Sequence, residues 1–322
     1  MLRRICLRAF SLGTLIWPLA GAMALALASE PAVAPRAVPA FAIREVAPGV
    51  FVHLGQQLPL DAPGHDDIAN IGFIVGRRCV AVIDTGGSMR IGRALHAAIR
   101  QRTRLPICYV INTHVHVDHV LGNAAFVPDR PAFIGHWALG AAIARSRDFF
   151  LQHYAEDLDQ PPSAAQIIGP DTAVQQNLEL ELGARHLSLR SWPTAHTDCD
   201  LTVFDQQSRT LWTGDLLFRD RLPALDGSAE GWLAAIDEIA RLPAAQAVPG
   251  HGPVSADLAA ALDAERGYLR ALIDGVRQQL SQGGSMQQAI AQVATAEKSK
   301  WLLWDSTHPR NVARVYEQME WQ

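Results

Sequence analysis

Short runs rich in β-branched and aromatic residues follow one another from residue 41: FAIREV, VFVHLG, NIGFIVG and CVAVIDTGG, separated by Pro-Gly, a longer loop and Gly-Arg-Arg. Four strands this close predict antiparallel pairing. The segment SMRIGRALHAAIRQRT, 88–103, places Met89, Ile91, Leu95, Ala98 and Ile99 on roughly one helical face and leads into the strand ICYVIN. A second set has the same order: strand AFIGH, a helix through about 137–156, strands LELEL, HLSLRSW, DLTVFD and TLWTGDLLF, then the helix SAEGWLAAIDEIARL. Strands closed by helices, twice over, predict two sheets packed together with helices outside. Leu258, Leu262, Leu269, Leu272, Ile273, Val276 and Leu280 mark a further amphipathic helix, an outer layer. The remainder reads as helical pieces in which Trp301, Trp304 and Trp321 are packing anchors, so 256–322 forms a helical extension of one domain spanning 41–322.

The first forty residues break this pattern. Arg3, Arg4 and Arg8 precede an uncharged stretch from Ala9 to Ala28 that ends in the small residues Ala26-Leu27-Ala28, which reads as an export signal over 1–28. Twenty uncharged residues can also just span a bilayer, but Pro18 and the glycines weaken a helix, and cleavage is the preferred reading. Arg3-Arg4 followed by Ile5-Cys6-Leu7-Arg8 partly resembles a twin-arginine signal. The Pro/Ala-rich 29–40 is a linker. The chain is therefore expected in the periplasm, with no membrane attachment after cleavage.

Charge narrows the partners. The formal net charge is −4, and loss of the three signal arginines would make it −7, which argues against nucleic acid and for a small-molecule partner. Cleavage would leave Cys79, Cys108 and Cys199, an odd number without a C-x-x-C spacing, so no disulfide framework is indicated. Cys79 and Cys108 are most simply buried small hydrophobes, with a single bridge between two of the three left open.

Chemistry is concentrated in INTHVHVDHVLGN, 111–123, which carries three of the twelve histidines and an aspartate within six positions after an apolar run. His114 and His116, two apart in an extended or tightly turned segment, point to one side, while Asp118 and His119 can face an adjacent point about a metal–metal spacing away. One loop can serve two metals. Zinc takes imidazole nitrogen and carboxylate oxygen in tetrahedral sites, so a third ligand must come from elsewhere. Candidates stand at three strand ends: His196 in SWPTAHTDCD, Asp215 in LWTGDLLF and His251 in AVPGHGPV. His53, His96, His136, His153 and His186 lack such company and read as structural.

These residues resemble the metallo-β-lactamase superfamily of metallohydrolases. Thr113 to Gly122 match its T-H-x-H-x-D-H-x-x-G pattern, and His196, Asp215 and His251 match the later ligand positions in order. The resemblance covers about 41–255 and implies an α+β fold, a four-layer αββα sandwich with metals at one edge between the sheets. It implies two zinc ions per chain: His114, His116 and His196 on the first, Asp118, His119 and His251 on the second, Asp215 bridging, and Asp118 also as a catalytic carboxylate. Asp84 in VAVIDTGGS matches a recurrent position beneath the ligands that orients imidazoles; by itself it reads as a turn residue before Gly86-Gly87. Asp215 in place of a cysteine separates the chain from class B β-lactamases, and Cys199 reads as a strand-start residue near the site.

Two metals lower the pKa of water to near 7 and make serine or lysine nucleophiles unnecessary. The only lysines are Lys298 and Lys300. The expected reaction is hydrolysis of an ester, thioester, lactone or amide-type bond. The alternatives are a mononuclear iron persulfide dioxygenase, a β-lactamase, or a metal-binding partner protein without turnover. Segments NIGFIVG, INTHVHVDHVLGNAAF and THPRNVARVYEQMEW are similar to a periplasmic subgroup associated with quinoproteins and sulfur oxidation, which implies a functional link to periplasmic quinoproteins. The loop 56–69, with His65, Asp66 and Asp67, and His308 in the tail are candidate substrate contacts; a solvated loop and the start of the last helix are the plainer readings.

Overall fold

A computed structural model describes residues 41–320; the signal and linker assigned to 1–40, and Trp321, lie outside the described residues. The first four strands are β1 (Arg44–Ala47), β2 (Val50–His53), β3 (Ile71–Val75) and β4 (Val80–Ile83), each antiparallel to the next. Helix α1 (Met89–Arg102) then crosses over so that β5 (Ile107–Ile111) joins β4 in parallel. Ser88 caps α1 by accepting the Ile91 N–H, and Met89, Ile91, Leu95 and Ile99 are its buried face. After a one-turn helix α2 (Val117–Val120), β6 (Ala132–His136), helix α3 (Leu139–His153) and β7 (Thr172–Val174) complete a seven-stranded sheet in sequential order.

The second sheet has the order β12-β11-β10-β9-β8. It comprises β8 (Asn177–Glu181), β9 (His186–Ser191), β10 (Leu201–Asp205), β11 (Thr210–Phe218) and, after helix α4 (Ala229–Ile239), β12 (Gln246–His251), which runs parallel to β11. Helices α5 (Leu258–Ser281), α6 (Met286–Gln292) and α7 (Trp304–Glu320) close the chain.

Three apolar clusters define the layers. Val52, Ile74, Ile83 and Ile111 of the first sheet meet Leu189, Val203, Trp212 and Val248 of the second. Ile91, Leu95 and Ile99 of α1 cover the outer face of the first sheet at Phe73, Val82 and Val110. Trp232 and Ile236 of α4, Leu269 and Leu272 of α5 and Val312 of α7 cover the other side, with Trp301 and Trp304 buried among them. The result is the αββα sandwich that the alternation of strand runs and helices predicted. Among the described residues no helix is long and apolar enough to cross a membrane.

The core answers a question that the sequence left open. Cys79 and Cys108 are not merely small hydrophobes: they are joined in a disulfide, with Cα atoms 5.7 Å apart. Periodicity could not show this, because the crossover through α1 brings residues 29 apart side by side, Cys79 just before β4 and Cys108 within the parallel β5. Cys199 is free and buried. A bridge closing a loop of that length stabilises by about 3–4 kcal/mol in the chain-entropy account. Denaturant unfolding with and without reductant should therefore differ by roughly that amount; coincident midpoints would mean that the bridge contributes nothing.

Candidate metal centre

The parallel strands end at one edge of the sandwich, and the loops that follow them carry the polar residues. The chain leaves β5 through Asn112 and Thr113 into His114, and α2 begins at Val117 with His116 at its N-cap. His114 (1% exposed), His119, His196 and His251 are all buried, as are Asp118 and Asp215. Two groups form: His114, His116, His196 and Asp215, and Asp118, His119 and His251, each with one ligand atom per residue within 4.8 Å of the others. Asp215 stands between them. Its Oδ1 lies 3.2 Å from His119 Nε2, and its Oδ2 lies 3.3 Å from His251 Nε2, 3.4 Å from His196 Nε2 and 3.6 Å from His114 Nε2. Asp215 sits within β11 rather than after it, where the pairing with β12 slips between Gly214 and Phe218. The carboxylate fits because residue 250 is glycine: a Cβ there would lie 1.8 Å from Asp215 Oδ1.

The far nitrogen of every imidazole is tied to an acceptor, which fixes the tautomers. His119 Nδ1 donates to Asp84 Oδ2 at 2.8 Å, His196 Nδ1 to the Ala224 carbonyl at 2.6 Å, His251 Nδ1 to the Ile68 carbonyl at 2.8 Å, and His116 Nε2 to Asp226 Oδ2 at 2.7 Å. Thr113 Oγ1 donates to Asp84 Oδ2 at 2.7 Å, so its oxygen accepts from His114 Nδ1 at 3.0 Å. Five nitrogen lone pairs consequently converge on two carboxylates. His116 Nδ1 and His196 Nε2 face each other at 3.0 Å, and the buried His114 Nε2, His119 Nε2 and Asp215 Oδ1 have no hydrogen-bond partner among the described residues. Unpaired buried acceptors aimed at one point are costly unless a cation joins them.

Asp84 lies under this cluster, accepting the Thr113 N–H as well as the Thr113 hydroxyl and His119. Its backbone is in the left-handed region, φ 52°, a conformation aspartate tolerates better than most residues. Aromatic rings pin two ligands from behind: Phe218 stacks on His251 at 5.0 Å and the Trp232 edge meets His196 at 5.2 Å. Burial holds His114 well below the usual imidazole pKa and brings His196 down to about 4, so both are neutral at pH 7, as a metal ligand must be. For His119, burial is outweighed by Asp215, Asp118 and Asp84, and its pKa lies well above the usual value. Burial likewise pulls His116 down, but the Asp226 carboxylate raises it overall. Cys199 is no ligand: burial pushes its thiol far up, and its sulfur contacts Thr197.

A cavity of about 670 Å³ opens onto the cluster. Phe149, Phe150 and Tyr154 from α3 and its end form one wall, and Arg310 and Arg314 of α7 line another. The loop 56–69 does reach it, through Leu60, Asp61 and Ile68. His65, Asp66 and Asp67 do not line it. His65 pairs with Asp157 at 2.9 Å, Asp66 binds Ser88 and Arg90, and Asp67 binds His53 at 2.6 Å, so these three hold the loop in place instead of facing a ligand. His308 is likewise no substrate contact. It is buried inside α7, where Nδ1 faces Tyr268 Oη and Nε2 donates to the Val293 carbonyl, both at 3.0 Å. Arg310 belongs to the tail segment His308-Pro309-Arg310-Asn311 that the sequence suggested could approach the site, and it does reach the cavity. Three residues that matter were not singled out from the sequence: Asp226 hides in a Leu-Asp-Gly-Ser turn, where aspartate is ordinary, and nothing local distinguishes Arg221 or Arg314.

Imidazole nitrogen and carboxylate oxygen with no thiolate are a donor set that zinc and related divalent metals take. Joined to an open cavity at the sheet edge of an αββα sandwich, that set defines a metal-dependent hydrolase. The sequence agrees: the family described as "Metallo-beta-lactamase superfamily" matches residues 65–251, more than half of the chain, and the chain belongs to that superfamily. No curated protein sequence matches it. Among solved structures, TMB-1 superposes with a TM-score of 0.57 at 18% identity, over 72% of this chain and 98% of that one. The inverting sec-alkylsulfatase Pisa1 from Pseudomonas sp. gives 0.63 at 18%, over 86% of this chain and 50% of its own. A metallo-beta-lactamase family protein from Thermus thermophilus gives 0.61 at 17%, over 86% and 94%.

Proposed function

We propose that the protein is an exported hydrolase that holds two zinc ions and cleaves an ester, thioester, lactone or amide-type bond of a small molecule. The observation that carries this is the convergence of five imidazole lone pairs on two carboxylates beside an open cavity. His114, His116 and His196 would hold one ion, Asp118, His119 and His251 the other, with Asp215 between them. Bound metal would supply a nucleophile at neutral pH, by lowering the pKa of water, and a Lewis acid for the substrate oxygen. Asp118 lines the cavity 3.4 Å from His251 Nε2, in reach to take and return a proton. Phe149, half exposed, and the buried Phe150 give the cavity an apolar wall for an apolar part of the substrate. Export is supported by the signal-like first 28 residues and by a disulfide, which persists in an oxidising compartment such as the periplasm. A functional link to periplasmic quinoproteins is part of the proposal and rests on the similarity of NIGFIVG, INTHVHVDHVLGNAAF and THPRNVARVYEQMEW to the quinoprotein-associated subgroup.

The test is metal analysis of protein purified from the export compartment without added metal, together with hydrolysis of a panel of esters, thioesters, lactones and β-lactams. Two zinc ions per chain are expected, with turnover lost on chelation and restored by zinc. A single iron per chain with oxygen uptake in the presence of a persulfide would replace the proposal with an oxygenase.

A further inference from the structure

Strand β11 runs on past its antiparallel neighbour. Its pairing with β10 ends at Trp212, so Thr213 to Phe218, the stretch that carries Asp215, has no strand on that side. Every residue of β11 is buried, so the backbone groups left over there need partners from within the protein. The helices behind the sheet supply them. Trp232 of α4 donates Nε1 to the Leu216 carbonyl at 3.2 Å, and Glu265 of α5 accepts the Phe218 N–H on Oε1 at 3.0 Å.

A carboxyl group is a costly choice for that task. Glu265 is 0% exposed, no cation lies within ion-pair distance among the described residues, and its buried Oε2 has no partner. Burial, with the charge of Asp215 adding to it, pushes the carboxyl well above its usual range, so it is neutral at pH 7. Its neighbours on the buried face of α5, Leu262, Leu269 and Leu272, are apolar, and an apolar side chain at 265 would pack without the desolvation cost. What Glu265 provides is one acceptor, and the N–H it takes belongs to the residue whose ring stacks on His251, with centroids 5.0 Å apart and planes 18° apart. The same ring is tilted against His196 at 5.6 Å, but His196 is also held by the Trp232 edge and the Ala224 carbonyl.

We propose that Glu265 is a positioning residue for the group of Asp118, His119 and His251: its acceptor fixes the end of β11, and the Phe218 ring thereby sets the angle of the His251 imidazole. This rests on the metal-centre reading and extends the centre to a helix outside the segment matched by the family.

Three variants test it. Glu265→Met keeps the length of the side chain and loses the acceptor, Glu265→Gln keeps a neutral acceptor, and Phe218→Leu keeps the N–H and loses the ring. Zinc affinity is measured by competition with a chelator. The ring-proton shifts of His251, which the Phe218 ring displaces, are measured by NMR in the metal-free protein. Glu265→Met and Phe218→Leu should each weaken zinc at Asp118, His119 and His251 by about tenfold or more, with zinc at His114, His116 and His196 unchanged, and Glu265→Gln should return to within about threefold of wild type. The His251 shifts should move in Glu265→Met and Phe218→Leu and return in Glu265→Gln. A packing role alone would lower the thermal midpoint of Glu265→Met and leave the zinc affinities and the shifts in place. That result overturns the proposal, as does a Glu265→Gln variant that behaves like Glu265→Met, or a Phe218→Leu variant with wild-type zinc affinity. If Glu265→Met does not fold, Glu265→Gln and Phe218→Leu decide by the same criteria. If the wild-type protein binds no zinc, the metal-centre reading falls and the His251 shifts alone decide whether Glu265 positions the imidazole.

Discussion

Substitution of Asp215 by alanine is expected to lower bound metal to less than one ion per chain and to reduce kcat/KM by about a thousandfold or more. The magnitude follows from geometry. Asp215 is, among the described residues, the only anion in contact with both groups of imidazoles, with His119 and His251 on one side and His114 and His196 on the other. Without it the lone pairs still converge, but cationic charge on the first group loses its one carboxylate. Metal electrostatics are worth several kcal/mol of transition-state stabilisation, and about 4 kcal/mol corresponds to a thousandfold. Asparagine at 215 preserves shape and one acceptor oxygen without the charge, so it separates the two contributions: metal should be retained in part, with turnover still low. Retention of two ions and near wild-type turnover by Asp215→Ala, measured by metal analysis and kinetics on the same preparation, would remove Asp215 from the centre.

How much of this the sequence disclosed depends on distance along the chain. His114, His116, Asp118 and His119 are legible because a single turn supplies all four, and the local spacing itself encodes the geometry. His196, Asp215 and His251 are legible because each closes an apolar run, and loops after parallel strands gather at one edge whatever the residues between. Asp84 could be read only as one of two things, a turn aspartate or a support for ligands; in the structure it has a turn conformation and holds Thr113 and His119 as well. What could not be read was everything that depends on packing between distant segments. The Cys79–Cys108 bridge needs the register of β4 against β5. The partners of His65, Asp66 and Asp67 come from α1 and its N-cap, from β2 and from the turn after α3, so these three residues, which look poised for a ligand, are in fact occupied, while the loop reaches the cavity through Leu60, Asp61 and Ile68. The unpaired Oε2 of Glu265 is a property of its surroundings and leaves no trace in the letters around it.

The carboxy-terminal layer, which lies outside the segment matched by the family, is expected to govern the first metal group through Asn311. This residue is 1% exposed; its Oδ1 accepts the Leu225 N–H at 3.0 Å, and its Nδ2 donates to the Pro223 carbonyl at 2.7 Å and to Tyr268 Oη at 2.9 Å. The clamped loop contains Ala224, whose carbonyl receives the His196 proton, and Asp226, whose carboxylate receives that of His116. Arg314 and Gln318, farther along α7, donate to the Asp226 and Gly227 carbonyls. Groups that orient metal-bound histidines typically change metal affinity about 10–100-fold when lost, and Asn311 acts one step further back on two of them at once. On the two-zinc reading proposed above, Asn311→Ala should therefore weaken metal at His114, His116 and His196 by about tenfold or more, while the group at Asp118, His119 and His251, oriented by Asp84 and Ile68, keeps its affinity. Competition with a chelator, which on that reading resolves two release steps, makes this visible. Tyr268→Phe is the control: it removes the hydroxyl that faces Asn311 and His308 but leaves both bonds to the loop, so it should lower the thermal midpoint without changing either zinc step. If Asn311→Ala lowers the midpoint as Tyr268→Phe does and leaves both zinc steps in place, α7 is packing alone, and the orientation of His116 and His196 must be set within the loop itself.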